Sequence, residues 1–219
     1  MATKPLIPGA ILTGDLIGST KAGAEAVATA MSALSEACID MDHWPGGVPS
    51  RFVRYRGDGW QAAVAPTGRA LRASLYLIAR LRAADAGLMT RIAIGLGLID
   101  RDGPLPEAHG KTFEASGHAL DALGRSERLA VAGANATSLH QAIIALLDER
   151  TARWSREQAE AMAHYLAPDS STLTAIAAKL GLSTQAVHYR LTGAGYQAIG
   201  KAVIHWEASF ALAADREPA

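Results

Sequence analysis

An α+β fold is predicted: an antiparallel-rich sheet with helices on one face over residues 1–150, then an all-helical region over 151–219. Three observations predict it. Strand-like and helix-period segments follow one another as strand, helix, hairpin, helix, strand, helix, a βαββαβ plan. No strand-like run occurs after residue 138. The charged stretch Asp148-Glu149-Arg150-Thr151-Ala152-Arg153 marks a boundary near residue 150.

The first strand is Ala10–Ile17, a short and mostly apolar run. Residues 21–42 follow, with Val27, Met31, Leu34, Cys38 and Met41 spaced by three and four, the stripe of an amphipathic helix. Trp44-Pro45-Gly46-Gly47 breaks it. Residues 51–65 read as two strands around Gly57-Asp58-Gly59, a hairpin turn. A second helix covers about 68–86, striped by Leu71, Leu75, Ile78, Ala79 and Leu81. Residues 90–99 make the next strand, a Gly/Pro-rich loop runs to Lys111, and a helix is expected over about Gly117 to Ala130. The tail Asp215–Ala219 is expected to fray.

Composition sets limits. The 219 residues are 49% hydrophobic and 19% charged, enough for a medium domain with a core plus a small one. Lys plus Arg equals Asp plus Glu at 21 each, so a nucleic-acid role would need a local basic face rather than an overall excess. The single cysteine, Cys38, excludes an internal disulfide and a cysteine zinc cluster, and its apolar neighbours give it a packing role. The seven histidines show no metal-ligand spacing; His43 and His109 fall in loops. No signal-peptide pattern or membrane-length apolar run is present, so a cytoplasmic location is expected. Arg56-Gly57-Asp58 is therefore not read as an adhesion tripeptide.

Leu173 to Leu191 has the internal grammar of a helix-turn-helix. Ala177 is small where two helices meet, Gly181 permits the tight turn, and Ser183 caps the second helix. Ile176, Leu180, Leu182, Val187 and Leu191 form the seam. At about 100° per residue, Gln185, His188, Tyr189 and Thr192 then face outward, with Thr184 and Arg190 on the flanks. Gln reads adenine bidentately and Arg fixes phosphates, so double-stranded DNA is the expected partner, with Ser183, Thr184, Gln185, His188, Tyr189 and Arg190 at the contact. An ordinary helical hairpin with polar surface residues is the alternative. The stretch resembles the helix-turn-helix of bacterial regulators and sigma-factor-like domains. Tyr196 to Leu212, with Ile199, Val203, Trp206 and Phe210, reads as a packing or dimerisation helix.

Two acidic residues stand among glycines at strand edges, in Thr13-Gly14-Asp15-Leu16-Ile17-Gly18-Ser19 and Arg54-Tyr55-Arg56-Gly57-Asp58-Gly59-Trp60. Taken alone, Asp58 is a turn residue and Asp15 a helix cap. Taken together on neighbouring strands, they would make a pair of hard oxygen ligands suited to Mg²⁺ on a nucleotide phosphate.

With these motifs the segment 10–135 resembles the catalytic domain of class III nucleotidyl cyclases, a ferredoxin-like βαββαβ palm. The resemblance implies that Asp15 and Asp58 hold metal, Mg²⁺ or Mn²⁺. It places Arg54 where the family has a base-selecting lysine, and Glu114 of Phe113-Glu114-Ala115-Ser116-Gly117 where an adenine-selecting aspartate stands. It reads Asp121-Ala122-Leu123-Gly124-Arg125 as the helical Asn-x-x-x-Arg that orients the ribose and stabilises phosphate charge. Arg125 as a surface salt-bridge partner is the plainer alternative. The family shares its site across a homodimer. The full arrangement is also similar to the SatD-like group.

Departures from the pattern shift the expected function. Asp121 replaces a neutral amide, and Arg54 with Glu114 is neither the adenylate nor the guanylate pair. The chain is expected to be a dimeric, DNA-binding transcriptional regulator. Its degenerate cyclase-like domain would bind a nucleotide or cyclic nucleotide through Arg54, Glu114, Asp121 and Arg125. The alternative is an active cyclase with Asp121 and Arg125 at its catalytic centre and an attached helix-turn-helix.

Overall fold

The computed structural model describes residues 5–45, 49–55, 57–84, 86–101, 105, 110–168 and 172–214, with side chains to residue 211. Gly46-Gly47, Arg56, most of the loop before Lys111 with His109, and the tail 215–219 lie outside the described residues.

The mixed α+β class expected from the sequence is borne out. The order is β1 (Leu6–Ile17), α1 (Ser19–Ala22), α2 (Ala24–Met41), β2 (Arg51–Tyr55), β3 (Gly59–Val64), α3 (Ala70–Ala83), β4 (Met89–Asp100), α4 (Lys111–Ala122) and β5 (Leu129–Gly133). Five helices follow: α5 (Ser138–Ala152), α6 (Arg156–Leu166), α7 (Leu173–Leu180), α8 (Thr184–Ala194) and α9 (Tyr196–Ala214). The sheet runs β2-β3-β1-β4-β5. Its first four strands are mutually antiparallel, and β5 lies parallel to β4.

The period-2 rule gives β1 two distinct faces. Ala10, Leu12 and Leu16 join Ile92, Ile94 and Leu96 of β4 in the main core, against Leu34, Leu71 and Leu75 of α2 and α3. Ile11, Ile99 and Ala63 point the other way into a smaller cluster that includes Phe113 of α4. Here the expectation of helices on one face is corrected: α4 crosses the opposite face. Two glycines in the middle of β4 make room for it. A Cβ on Gly95 would meet the Thr112 carbonyl and Ser116, and one on Gly97 the Thr112 hydroxyl. Thr112 in turn donates to the Leu98 carbonyl at 2.7 Å, and Ser116 lies 2.7 Å from Thr13 of β1.

A second correction concerns residues 117–130. The helix there starts at Lys111 and stops at Ala122, and Leu129–Gly133 is a strand. Leu123 turns to extended backbone, and the Glu127 carboxylate accepts from the Gly124 N–H at 2.8 Å, closing a turn. Leu129 and Val131 alternate inward on β5. The buried Asp148 of α5 fixes the start of β5 by accepting from the backbone N–H of Arg128 at 2.7 Å and of Leu129 at 3.3 Å.

The boundary expected near 150 falls inside α5. The main core is continuous from Leu12 to Trp206, taking in Trp154, Met162, Val187 and Val203. Helix α9 packs within the chain through Ile199, Val203 and Trp206, and Glu207 accepts both Nε (2.6 Å) and Nη2 (2.9 Å) of Arg72 on α3. Cys38 is buried on α2, and burial pushes its thiol up to about 12, with Asp42 adding to the rise. Among the described residues no helix is long and apolar enough to cross a membrane.

Candidate functional site

The Thr13-Gly14-Asp15 triplet is shaped by Trp60. Gly14 lies opposite Trp60 in the β1–β3 register, and a Cβ there would collide with the indole ring and the Arg91 carbonyl. The fully buried Trp60 donates its indole N–H to the Thr90 hydroxyl at 3.0 Å, and Thr90 donates to the Asp15 carbonyl at 2.7 Å. Asp15 is thus set at the end of β1 by contacts to both neighbouring strands. Asp58 occupies the β2–β3 turn beside it: its carbonyl accepts the Leu16 N–H at 3.2 Å. The pairing of two glycine-flanked aspartates at one sheet end is what the structure brings together.

Their carboxylates are engaged. Arg91 lies directly opposite Asp15 on β4, and both side chains stand on the face that carries α4. Its Nε donates to Oδ1 at 2.8 Å and its Nη2 to Oδ2, a bidentate pair. The Ser19 hydroxyl donates to Asp58 Oδ2. The hydrogen bonds to Asp15 hold the Arg91 guanidinium above its ordinary value against the opposing effect of burial, and the charges of Asp15, Asp121 and Asp58 add to the rise. Asp121, on the last turn of α4, therefore belongs to the same electrostatic cluster. One guanidinium pairs with Asp15 and feels the charge of two further carboxylates.

The remaining expected nucleotide residues are exposed. Arg54 is exposed on β2 and donates to the Gly57 carbonyl at 2.6 Å. Glu114 is exposed in the first turn of α4, about two turns from Asp121. Arg125 is exposed in the turn between α4 and β5, off the helix expected to carry it. The sequence reading missed Arg91 and Ser19. The register Asp15↔Arg91 identifies Arg91, and register is not visible in a single strand's sequence. Ser19 follows Asp15 within the same motif but carries no signal that separates it from an ordinary cap.

A divalent metal here would share the Asp15 and Asp58 carboxylates with the hydrogen bonds they already accept. Both oxygens of Asp15 are held by Arg91, and one oxygen of Asp58 by Ser19. Among the described residues no group of three or more His, Cys, Asp or Glu converges on one point.

The second candidate surface is α7–α8. Gly181 ends α7 in the left-handed region at φ 64°, and the Leu182 N–H closes the turn on the Ala177 carbonyl at 3.0 Å. The Ser183 hydroxyl caps α8 by accepting from Ala186 N–H at 3.1 Å. Ile176, Ala177, Val187 and Leu191 are buried in the seam. At the far end of α8, the Ala194 carbonyl accepts from the Trp154 indole and from Arg150 Nε, both at 3.0 Å. Thr184, Gln185, His188, Tyr189 and Thr192 are exposed along one face. Arg190 is turned aside: its Nη1 donates to Glu160 of α6 at 2.7 Å.

No protein-family model matches the chain, and no curated protein matches it. Among solved structures it is similar to the crystal structure of the guanylyl cyclase Cya2, with a TM-score of 0.40 and 18% identity, over 58% of this chain and 76% of that one.

Proposed function

We propose that the protein is a DNA-binding regulator whose sheet domain senses a small nucleotide. The observation that carries the DNA half is the tight Gly181 turn followed by a capped α8 that exposes Thr184, Gln185, His188 and Tyr189 with no acidic residue among them. A helix presented this way suits the major groove, where Gln185 reads base edges and Thr184 reaches phosphate. Two copies would read two half-sites.

The nucleotide half is supported by Arg91 and its three carboxylates. A ligand with one phosphate would take Arg91 as its partner, and its hydroxyl or amino donors would meet Asp15 and Asp121. A cyclic nucleotide or nucleoside monophosphate satisfies that pattern without a metal. The split strand order, with β3 between β1 and β2 and β1 between β3 and β4, supports reading the sheet as a ferredoxin-like palm. The negative charge of Asp121 in this cluster weighs against cyclisation.

Fluorescence anisotropy with DNA from the protein's own promoter tests the first half. Binding lost in Gln185→Ala with unchanged melting supports it, and no binding at low salt overturns it. Thermal shift with cyclic nucleotides and nucleoside monophosphates tests the second. A stabilisation that disappears in Arg91→Gln supports it, and no shift with any of them overturns it.

A further inference from the structure

A cavity lies on the other side of the sheet from the carboxylate cluster. It is a cleft of about 520 Å³ walled by the end of α2, by α3, by α6 and by α7. That volume is in the range of small-molecule sites, ~300–1,000 Å³. Its floor is a hydrogen-bonded set: the Tyr76 hydroxyl donates to Asp40 Oδ2 at 3.0 Å, and Arg80 pairs with Asp40 and lies 2.8 Å from the Tyr76 oxygen.

Charge distinguishes this cleft from an ordinary surface dent. Its two carboxylates are both matched to guanidinium groups, Asp40 to Arg80 and Glu160 to Arg190. Lys179, at the last turn of α7, has no ion-pair partner among the described residues and is left as the uncompensated charge. His164 of α6 lines the same wall. Burial holds its imidazole below the ordinary value, and the positive charges of Lys179 and Arg80 press it further down against Glu160.

We propose that the cleft between α2, α3, α6 and α7 binds a small anion, the carboxylate or phosphate head of a metabolite, seated between Lys179 and His164. The anion pairs with Lys179, which has no ion-pair partner among the described residues. It also touches α7 directly and the α6 wall that holds Arg190 of α8, so occupancy favours one position of the helix-turn-helix over another. This regulatory part rests on the DNA-binding reading; the binding part does not.

Proton NMR of the His164 ring, titrated with inorganic phosphate in one arm and succinate in the other, tests the site on the full chain. Saturable movement of the His164 resonance and a rise in its pKa with one probe identify the head group. Lys179→Gln, an exposed change, is expected to weaken that binding about tenfold. No saturation by either probe up to about 10 mM, or equal binding in Lys179→Gln, overturns the site. Anisotropy with promoter DNA follows with the probe that binds. Unchanged DNA affinity overturns the regulatory part alone. Absence of DNA binding without any probe overturns the DNA-binding reading and leaves the anion site to stand on the NMR.

Discussion

The carboxylate cluster and the outer face of α8 solve the problem of presenting polar side chains in opposite ways. In the cluster the expected carboxylates are bound to neighbouring side chains: Asp15 to Arg91, Asp58 to Ser19. On α8 the groups of interest point into solvent, while cap, turn and C-terminal carbonyls hold the helix from behind. A ligand at the first site has to exchange existing bonds. A partner at the second finds exposed side chains held only by a long Gln185–Tyr189 hydrogen bond of 3.4 Å and ring contacts of His188. Mutations should therefore couple stability to function at the cluster and separate them on α8.

The strongest way to break this contrast is to remove the scaffold of the cluster. Trp60→Ala deletes a fully buried indole and the Thr90 bond that seats the Asp15 carbonyl. A loss of about 3–5 kcal/mol in denaturant unfolding is expected, with the cluster's ligand response lost as well. A loss under about 1 kcal/mol would show that the indole does not hold the cluster. Next comes Asp15→Ala, which leaves Arg91 without its bidentate partner. It is expected to cost about 1–3 kcal/mol, part of which Asp15→Ala/Arg91→Ala restores. Strict additivity in that cycle would mean that the pair is only geometric.

Acid provides a smaller perturbation, located among the helices. Burial holds both His140, packed against Trp206 and Phe210, and His164 below the ordinary 6.5. The unfolded chain then takes up protons first. Their contribution to stability is complete above pH 6.5 and is lost as pH falls from 6.5 through the lower folded values. His140→Gln keeps an acceptor for the Thr137 N–H bond and removes one titration, so urea midpoints should fall less steeply with acid. An unaltered slope would assign the acid sensitivity to His164. The smallest effect on stability is expected on α8. Gln185→Ala and Tyr189→Ala should stay within about 0.5 kcal/mol of the parent while DNA affinity falls about tenfold. Arg190→Ala should instead register mainly in stability, through Glu160.

Most of the strands and helices were legible because their apolar spacing is strong. The stripes Val27–Met41 and Leu71–Leu81 returned as α2 and α3, and the Gly181 and Ser183 signals returned as a turn and a cap. The missed strand β5 is five residues long and follows a helix with similar Ala and Leu content, so its period could be read either way. The strand over 90–99 was legible, but not that its two glycines are the floor on which α4 rests. For the cluster, the aspartates were visible as motifs, whereas Arg91 depended on strand register and Asp121 on where α4 ends. Both are tertiary facts that no local pattern encodes.

Cys38 gives the helix layer a means of reporting on itself. Its thiol is the only one in the chain, and it is buried and held near 12, so a thiol reagent in neutral buffer meets almost no thiolate while α2 stays seated. Modification then proceeds through transient openings of that layer. Under fast reclosing, its rate measures the opening equilibrium directly. A nucleotide, an anion or an operator that tightens the layer would each slow the same reaction, and the size of the slowing would place all three on one free-energy scale.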